Sequence, residues 1–443
     1  MVKNIIAILL FGVVFLFAGP VSFYGKLQAS GKYLVGSKTG DTPVQVRGVS
    51  LGWSNTTWES ARFFNQMAVD AMVDDWKAEI IRVPYGQDDA SNKARIKIAI
   101  DAAIEKDVYV IIDWHSHTAN TQTAAATKFF SEMAREYGSK DHVIFEIFNE
   151  PERISWSTAI KPYANTVIDT IRKYSDNLII VGTPNWAQDI DVATDAITGT
   201  NRGNIAYVLH FYANSHSLTT NTAGTRKTFR NAANEVLNAN LPIFVSEYGT
   251  TDADGGQPPR NYGTHNAANA NAWHTFMDEN KISSCAWNVN DKYEGSAFFG
   301  TTQNGTFSQT AANFSNKNMM TESGKYIYDK LNAYADDAEW RNPPPPPPSS
   351  SSSYDSPSSS SGSTPIVFKS PDANGMQFIK NGVSLQVTRD AVVEVFALNG
   401  NSMRKLNFAS GTWLVQLSDL PKGLYIVKVS FGSERKILRV PVN

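Results

Sequence analysis

The sequence predicts an α/β protein: a closed (β/α)8 barrel followed by a Pro/Ser-rich linker and a small all-β sandwich. Eight apolar runs recur about 30–40 residues apart, and helix-like stretches lie between them. Runs with few polar interruptions indicate strands buried on both faces, as in a parallel sheet. The eight runs are Val44–Leu51, Glu79–Val83, Val108–Trp114, Val143–Phe148, Asn177–Gly182, Ile205–Phe211, Ile243–Tyr248 and Ser283–Trp287.

The intervals between the runs favour a TIM barrel over an open sheet. Helical patterns occur in Ala94–Glu105, Ala125–Tyr137, Ser157–Tyr174 and Ala267–Asn280. Eight strands that alternate with helices are typical of the closed barrel. An open doubly wound sheet is the alternative, and it would place a Gly-rich phosphate turn after its first strand. The segment Gly48–Gly52 lacks the G-x-G-x-x-G spacing, so the barrel is the preferred fold.

Composition excludes some classes of function. The chain has 443 residues, with 40 Lys and Arg against 42 Asp and Glu. The near-zero net charge gives no electrostatic reason to expect a nucleic-acid partner, which normally needs a basic face. Cys285 is the single cysteine, which rules out an intrachain disulfide, and its apolar surroundings indicate a core side chain. The 10 Trp, 17 Tyr and 23 Phe residues suit a protein that stacks on flat ligands.

The N-terminus resembles a targeting segment. Lys3 precedes a nearly unbroken apolar run from Ile5 to Ala18, which is short for a membrane span and suits a signal peptide. We therefore expect residues 1–22 to be a signal peptide, with an N-terminal anchor helix as the alternative. In either case the chain is expected to be exported, as a secreted or cell-surface protein.

Polar groups end nearly every apolar run at its C-terminal edge. In a (β/α)8 barrel these edges converge on one face, where active sites are built. Six strand ends would therefore surround a single pocket. The groups are Arg82, Asp113–His115, Asn149–Glu150, His210–Tyr212, Glu247 and Trp287.

Two acids dominate this set. Glu150 and Glu247 lie on the fourth and seventh runs, and paired carboxylates across a cleft are the usual apparatus of glycoside hydrolysis. One acid must be protonated to release the departing oxygen, and the other must be ionised to attack the anomeric carbon. The residues alone leave open which acid has which role. Asn149 suits a bond to a sugar hydroxyl, and flat platforms for sugar rings are offered by Trp53, Trp186 and Trp287.

The ordered motifs resemble glycoside hydrolase family 5, in its bacterial endo-β-1,4-glucanase (cellulase) branch. The resemblance covers most of residues 23–341. It rests on motifs at barrel-strand spacing, which are Ser50–Asn55, Asp113–His117, Asn149–Pro151, Ile160–Ala164, Gly182–Gln188, His210–Tyr212, Ser246–Gly249 and Asn290–Gly295. One departure is Tyr248, where many relatives carry Trp.

This resemblance implies roles for individual residues. It implies a retaining mechanism with Glu150 as general acid/base and Glu247 as nucleophile, and no metal or other cofactor. Arg82 would support the nucleophile, Asn149 would bind the sugar 2-hydroxyl, and Tyr212 would lie against the nucleophile. The remaining contacts to sugar would come from Trp53, His115, Trp186, His210, Trp287, Lys292 and Glu294. Trp58, Trp76 and Trp156 are interpreted as packing residues.

Cellulose is the expected substrate, and the same barrel acting on mannan, xyloglucan or mixed-linkage glucan is the alternative. Two rival functions are considered. His115 and His117, with His210 and His216 from later segments, would suit a metal-dependent hydrolase. A non-catalytic sugar-binding protein would keep the tryptophans but would not need both acids.

The C-terminal part is predicted to be a separate module. Six prolines from Pro343 open a Pro/Ser-rich linker at residues 342–365, which joins the catalytic domain to residues 366–443. Alternating strands at Val383–Val387, Ala391–Phe396, Trp413–Leu417 and Tyr425–Val429 predict the β-sandwich. The module looks like the sorting domains of type IX secretion substrates, and a carbohydrate-binding module is the alternative. The expected partners are therefore a β-glucan and secretion machinery or a cell-surface component, with the chain itself a monomer.

Overall fold

A computed structural model describes residues 19–56, 58–87, 91–253, 265–300 and 307–341, the strands of the C-terminal module, and residues 417 and 420. The chain divides into two compact units, Met1–Pro347 and Pro348–Asn443, which are described separately. Residues 1–18 of the expected signal peptide and the whole predicted linker lie outside the described residues. Within the described part of the chain, every helix is too short or too polar to span a membrane.

The first unit is a closed barrel of eight parallel strands, as the sequence predicted. An antiparallel hairpin, β1 (Leu27–Ser30) and β2 (Tyr33–Gly36), precedes it. Strands β3 to β9 pair in chain order, and β10 closes the barrel against β3. The barrel strands are β3 (Arg47–Leu51), β4 (Ile80–Tyr85), β5 (Tyr109–Trp114), β6 (Val143–Glu146), β7 (Ile179–Gly182), β8 (Ile205–Tyr212), β9 (Ile243–Gly249) and β10 (Ser283–Val289).

Helices form the outer layer. Several begin where a side chain caps the free N–H groups of the first turn: Asn65 accepts from Ala68, and Thr228 accepts from Asn231. Apart from the short turn Pro184–Ala187, which contains left-handed residues, the α-helices among the described residues of this unit are Pro20–Tyr24, Gln66–Asp74, Ser91–Glu105, Thr123–Tyr137, Lys161–Ile171, Phe229–Asn238, Ala267–Glu279, Ala311–Phe314 and Glu322–Asp337. All four predicted helices are present, and a π-helical turn at Trp156–Ile160 precedes Lys161–Ile171.

The core has two layers, which explains the apolar runs. One cluster fills the space between the strands and the surrounding helices, and a second fills the inside of the barrel toward its N-terminal end. Cys285 is fully buried in the inner cluster, as expected, together with Ile111 and Phe244. The hairpin residues Leu27 and Leu34 belong to the same cluster, so the hairpin covers that end of the barrel.

The first described residues pack against the barrel. Val21 is 3% exposed, and the backbone N–H of Ser22 donates to the Asp107 carboxylate at 3.2 Å. Residues 20–22, the end of the predicted signal peptide, therefore pack against the barrel unit.

The second unit consists of two antiparallel sheets. One has the order β11-β12-β15 and the other β14-β13-β16-β17. The strands are β11 (Gly375–Ile379), β12 (Gly382–Val387), β13 (Ala391–Ala397), β14 (Ser402–Phe408), β15 (Gly411–Gln416), β16 (Gly423–Phe431) and β17 (Glu434–Val442). The four predicted strands are β12, β13, β15 and β16. The sequence did not predict β11, β14 and β17. All three are edge strands, and their polar residues obscure the alternation of apolar and polar side chains that marks a strand.

Candidate active site

The C-terminal ends of the barrel strands enclose a cavity of about 430 Å³. The sequence predicts twelve site residues, and eleven of them line this cavity. They lie in segments scattered through the chain. These are Trp53, His115, Asn149, Glu150, Trp186, His210, Tyr212, Glu247, Trp287, Lys292 and Glu294. The twelfth, Arg82, is fully buried beside the cavity.

Irregularities in the strands help to position two of these side chains. The β8–β9 register shifts between Val208 and His210, and the β10–β3 register shifts between Trp287 and Val289. A bulge re-aims the side chain next to it. His210 then lies opposite Glu247 in the adjacent strand.

Glu247 is held by two donors. Arg82 Nη1 donates to Oε2 at 2.8 Å, and the Tyr212 hydroxyl donates to Oε1 at 2.8 Å. The carboxylate side chain is 5% exposed. Two hydrogen bonds, one of them from a cation, fix the orientation of this carboxyl group. The geometry therefore provides an oriented carboxyl oxygen at the cavity wall.

Arg82 organises the groups behind this oxygen. Its guanidinium contacts Glu146 at 2.7 Å, Asp113 at 3.0 Å and the Asn149 amide oxygen at 2.5 Å. Burial opposes its charge, but the surrounding carboxylates outweigh this effect and raise the pKa of Arg82 well above its ordinary value. Because the Asn149 oxygen accepts from Arg82, its NH₂ group is the end left to donate to a ligand.

Glu146 is a buried acid that sequence reasoning missed. It is fully buried at the end of β6, where it receives two bonds from Arg82 and one from the Ser246 hydroxyl at 2.7 Å. Burial raises the pKa of this carboxyl above its ordinary value, although Arg82 opposes the shift. The available signal was a single charged residue inside the apolar run Val143–Phe148.

Glu150 is contacted by two histidines. His210 Nδ1 lies 2.9 Å from Oε1, and His117 Nε2 lies 3.3 Å from Oε2. Burial favours the protonated acid, but hydrogen bonds from His117 and then His210 outweigh it and lower the pKa of Glu150. The same contact with Glu150 raises the pKa of His117. The two catalytic candidates therefore have different partners, histidines for Glu150 and an arginine with a tyrosine for Glu247.

A chain of hydrogen bonds connects Glu150 to Glu146. His210 Nε2 lies 2.9 Å from the Ser246 hydroxyl, which donates to Glu146. A hydroxyl that donates to Glu146 accepts from His210, so Nε2 carries a hydrogen. With that hydrogen on Nε2, the hydrogen bond between Nδ1 and Glu150 contains one further proton, which is carried either by the ring or by the carboxyl group. The Glu150–His210 pair thus holds one proton at the cavity.

Aromatic rings line the part of the cavity around Arg82 and Glu247. Trp287 lies over the Arg82 guanidinium at 6.0 Å and stacks with His115 at 5.5 Å. The edge of His115 meets Trp53 at 4.2 Å. Burial lowers the pKa of His115 to about 3, so the ring is neutral, and its Nδ1 donates to Asp113 at 2.7 Å. This bond leaves Nε2 as an acceptor.

Trp58 departs from the sequence-based interpretation. The sequence predicts a packing residue, but Trp58 is 36% exposed, lines the cavity and stacks with Trp53 at 5.4 Å. Lys292 lies 4.4 Å from the centre of its ring and pairs with Glu294 at 3.0 Å. Trp76 and Trp156 are buried, as packing residues are.

A strained turn carries Trp186. Asn185 (φ 56°, ψ 54°), Trp186 (φ 56°, ψ 49°) and Ala187 (φ 56°) are consecutive left-handed residues, and none is glycine. Each such residue costs roughly 1–2 kcal/mol, so its surroundings must hold it in place. The backbone N–H of Trp186 donates to Pro151 at 2.8 Å, one residue after Glu150.

The histidines proposed for a metal site make other hydrogen bonds. His115 Nδ1 bonds Asp113, both nitrogens of His210 are bonded, and His216 Nδ1 accepts from the Tyr212 backbone at 3.1 Å. Among the described residues, the donors near enough to share an ion are Glu150, His210 and Glu247, with one atom of each within 4.8 Å of the others. All three side chains already have hydrogen-bond partners. This arrangement fits two acids and a histidine that act on a substrate directly rather than through a bound ion.

Comparisons with known proteins agree with this geometry. The family model for cellulase (glycosyl hydrolase family 5) matches residues 37–293. Endoglucanase Z of Dickeya dadantii is 42% identical over 65% of this chain and 62% of its own length. An endoglucanase of Clostridium saccharobutylicum is 36% identical over 63% of this chain and 60% of its own. The chain thus spans about three fifths of these curated relatives.

Solved structures are similar over the barrel. A structure from Cytophaga hutchinsonii has 36% identity and a TM-score of 0.63, and covers 72% of this chain and 97% of its own. The catalytic domain of Thermobifida fusca endoglucanase Cel5A has 30% identity and a TM-score of 0.60, and covers 71% of this chain and 99% of its own.

Proposed function

The chain belongs to glycosyl hydrolase family 5, and we propose that it is an exported endo-β-1,4-glucanase that hydrolyses cellulose with retention of anomeric configuration. The observation that carries this proposal is the pairing of Glu150 and Glu247 in one cavity with different partners. Similarity to several endoglucanases supports the activity.

The two carboxylates are close together. One oxygen of Glu150 and one of Glu247 lie within 4.8 Å. Retaining glycosidases separate their carboxyl groups by about 5–5.5 Å, whereas inverting enzymes leave about 6.5–9.5 Å for a water molecule. The short separation supports direct attack by a carboxylate on the sugar.

In the first step, Glu247 attacks the anomeric carbon and forms a glycosyl ester. The glycosidic bond breaks as the proton of the Glu150–His210 pair passes to the departing oxygen. In the second step, Glu150 takes a proton from water, the water oxygen attacks the same carbon, and Glu247 is released as a carboxylate. Arg82 and Tyr212 orient Glu247 for the attack through hydrogen bonds to its two carboxylate oxygens.

The substrate is a β-1,4-glucan that extends along the cavity. Trp53 and Trp287 would stack on sugars on the nucleophile side, and Trp186 would contact the leaving sugar. A structure of the Thermobifida fusca enzyme is a complex with cellotetraose, which supports a cellulose-derived ligand for this cleft. Mannan, xyloglucan and mixed-linkage glucan are the alternatives, and the endoglucanase relatives favour cellulose over them.

The remaining parts of the proposal concern location and partners. We propose that residues 1–22 contain the signal peptide that directs export and that the C-terminal module mediates sorting to the cell surface. Sugar binding by this module is the alternative. The chain is proposed to act as a monomer, without a metal or other cofactor.

The test measures release of reducing sugar from carboxymethyl cellulose, lichenan, mannan and xylan, by the full chain and by a variant that ends at residue 341. Glu150→Gln and Glu247→Gln should each reduce activity on carboxymethyl cellulose by roughly three or more orders of magnitude. Glu136→Gln, an exposed glutamate paired with Lys97 on a distant helix, is the matched control. Preference for mannan or xylan, or near-normal rates in either catalytic variant, would contradict the proposal.

A further inference from the structure

We propose that Asp189 is a positioning residue for the leaving-group side of the cleft. It holds the left-handed turn at residues 185–187 in the conformation that presents Trp186 to the substrate. The inference rests on the proposed function, in which Glu150 protonates the departing sugar.

The left-handed turn at residues 185–187 is hydrogen-bonded to the backbone that follows Glu150. The N–H groups of Asn185 and Trp186 donate to the carbonyls of Glu152 at 3.2 Å and Pro151 at 2.8 Å. Trp186 is half-buried and lines the same cavity as Glu150. Because Glu150 gives its proton to the leaving group, a ring attached to the segment after Glu150 lies on the side from which that group departs.

Asp189 connects this turn to a second loop. Its carboxylate is 3% exposed and uses both oxygens: Oδ1 accepts from the backbone N–H of Gly224 at 3.0 Å, and Oδ2 accepts from the side-chain amide of Asn185. One buried acid thus joins the first residue of the left-handed turn to the loop that follows β8. Such a bond to a buried carboxylate is costly to break, since the partner would be left unsatisfied.

Gly224 fits the same arrangement. A β-carbon at this position would lie 2.1 Å from Asp189 Oδ2 and 2.4 Å from Asn185 Nδ2. Any larger residue would displace the carboxylate or the amide. The loop can therefore approach the turn this closely only with glycine.

The turn needs such a support because its backbone is unfavourable for its residues. Three consecutive left-handed residues with side chains persist only when their surroundings fix them. Without Asp189, the turn is expected to relax and to move Trp186 away from the cleft. The rings on the nucleophile side, Trp53 and Trp287, have separate contacts with His115 and are expected to stay in place.

Two substrates separate these effects. Cellopentaose must place glucose units on the leaving-group side, whereas β-cellobiosyl fluoride releases only fluoride and has no sugar there. Asp189→Ala and Gly224→Ala should each lower kcat/KM for cellopentaose by roughly tenfold or more, largely through a higher KM. The kcat/KM for β-cellobiosyl fluoride should stay within about twofold of the value for the unmodified chain. Asp189→Asn keeps one acceptor oxygen and should show an intermediate loss. Asp195→Ala, which removes an exposed acid paired with Lys161, is the control.

A double-mutant cycle with Trp186→Ala tests the route of the effect. If Asp189 acts through Trp186, the double variant should lose no more activity on cellopentaose than Trp186→Ala alone. Additive losses, equal losses on both substrates, or unchanged kinetics on cellopentaose would overturn the inference. If Asp189→Ala does not fold, Asp189→Asn and Gly224→Ala carry the test. An unmodified chain that cleaves neither substrate would instead contradict the proposed function.

Discussion

Arg82 donates to Glu247 over 2.8 Å from a site with no exposure to solvent. The same guanidinium bonds Glu146, Asp113 and Asn149, so one cation orients the Glu247 carboxylate and fixes an amide beside it. Glu247 is thereby coupled to two buried acids of the barrel interior, Glu146 and Asp113.

Arg82→Lys should lower kcat on cellopentaose by roughly a hundredfold or more, because a lysine ammonium cannot reproduce the planar set of donors that reaches four partners. The variant is also expected to unfold at lower temperature, since buried carboxylates lose a partner. Steady-state kinetics and thermal unfolding by circular dichroism check this. Arg135→Lys, on the exposed surface against Tyr174, is the control. Near-normal kcat would show that the charge alone suffices.

His117→Ala should extend activity to higher pH. The hydrogen bond from His117 lowers the pKa of Glu150, so its removal raises that pKa. A general acid with a raised pKa stays protonated at higher pH, and the basic limb of the kcat/KM profile moves upward. The pH profile on cellopentaose measures this, with His142→Ala, which removes a histidine paired with Asp107, as the control. A downward shift, or none, would contradict the assigned electrostatic role.

Trp58→Ala should weaken binding of longer oligosaccharides. The ring lines the cavity and stacks with Trp53, and such aromatic contacts contribute about 0.5–1.5 kcal/mol, which corresponds to a roughly two- to twelvefold change in KM. The expected rise in KM is larger for cellohexaose than for cellotriose. Tyr174→Ala removes an aromatic residue of similar exposure outside the cavity and should leave both values unchanged. Equal effects on both lengths would assign Trp58 a structural role instead.

Sequence reasoning predicted the barrel well because its strands are buried on both faces. The eight runs all became barrel strands, but their ends shifted: β6 ends at Glu146 rather than Phe148, and β10 extends to Val289. Strand ends depend on hydrogen bonding between neighbouring strands, which an apolar pattern does not specify. Bulges beside His210 and Trp287 also carry no clear sequence signal.

The sequence predicted those site residues whose type is required by the chemistry. Paired acids, a neighbouring arginine and platform tryptophans were visible from the sequence, and the structure brings them together. Glu146 and Ser246 were not predicted, because their role arises from contacts through the barrel interior. The turn that carries Trp186 was also missed, since Asn tolerates a left-handed backbone as a single residue but Trp and Ala disfavour it.

The identity of the nucleophile is the central claim, and covalent trapping tests it most directly. A 2-deoxy-2-fluoro cellobioside with a good leaving group slows hydrolysis of the glycosyl ester, so the intermediate accumulates on the attacking carboxylate. After proteolysis, mass spectrometry should place one fluorocellobiosyl group on Glu247, and Glu247→Gln should abolish the label. A label on Glu150, or turnover of cellopentaose to α-configured first products without any label, would contradict the account.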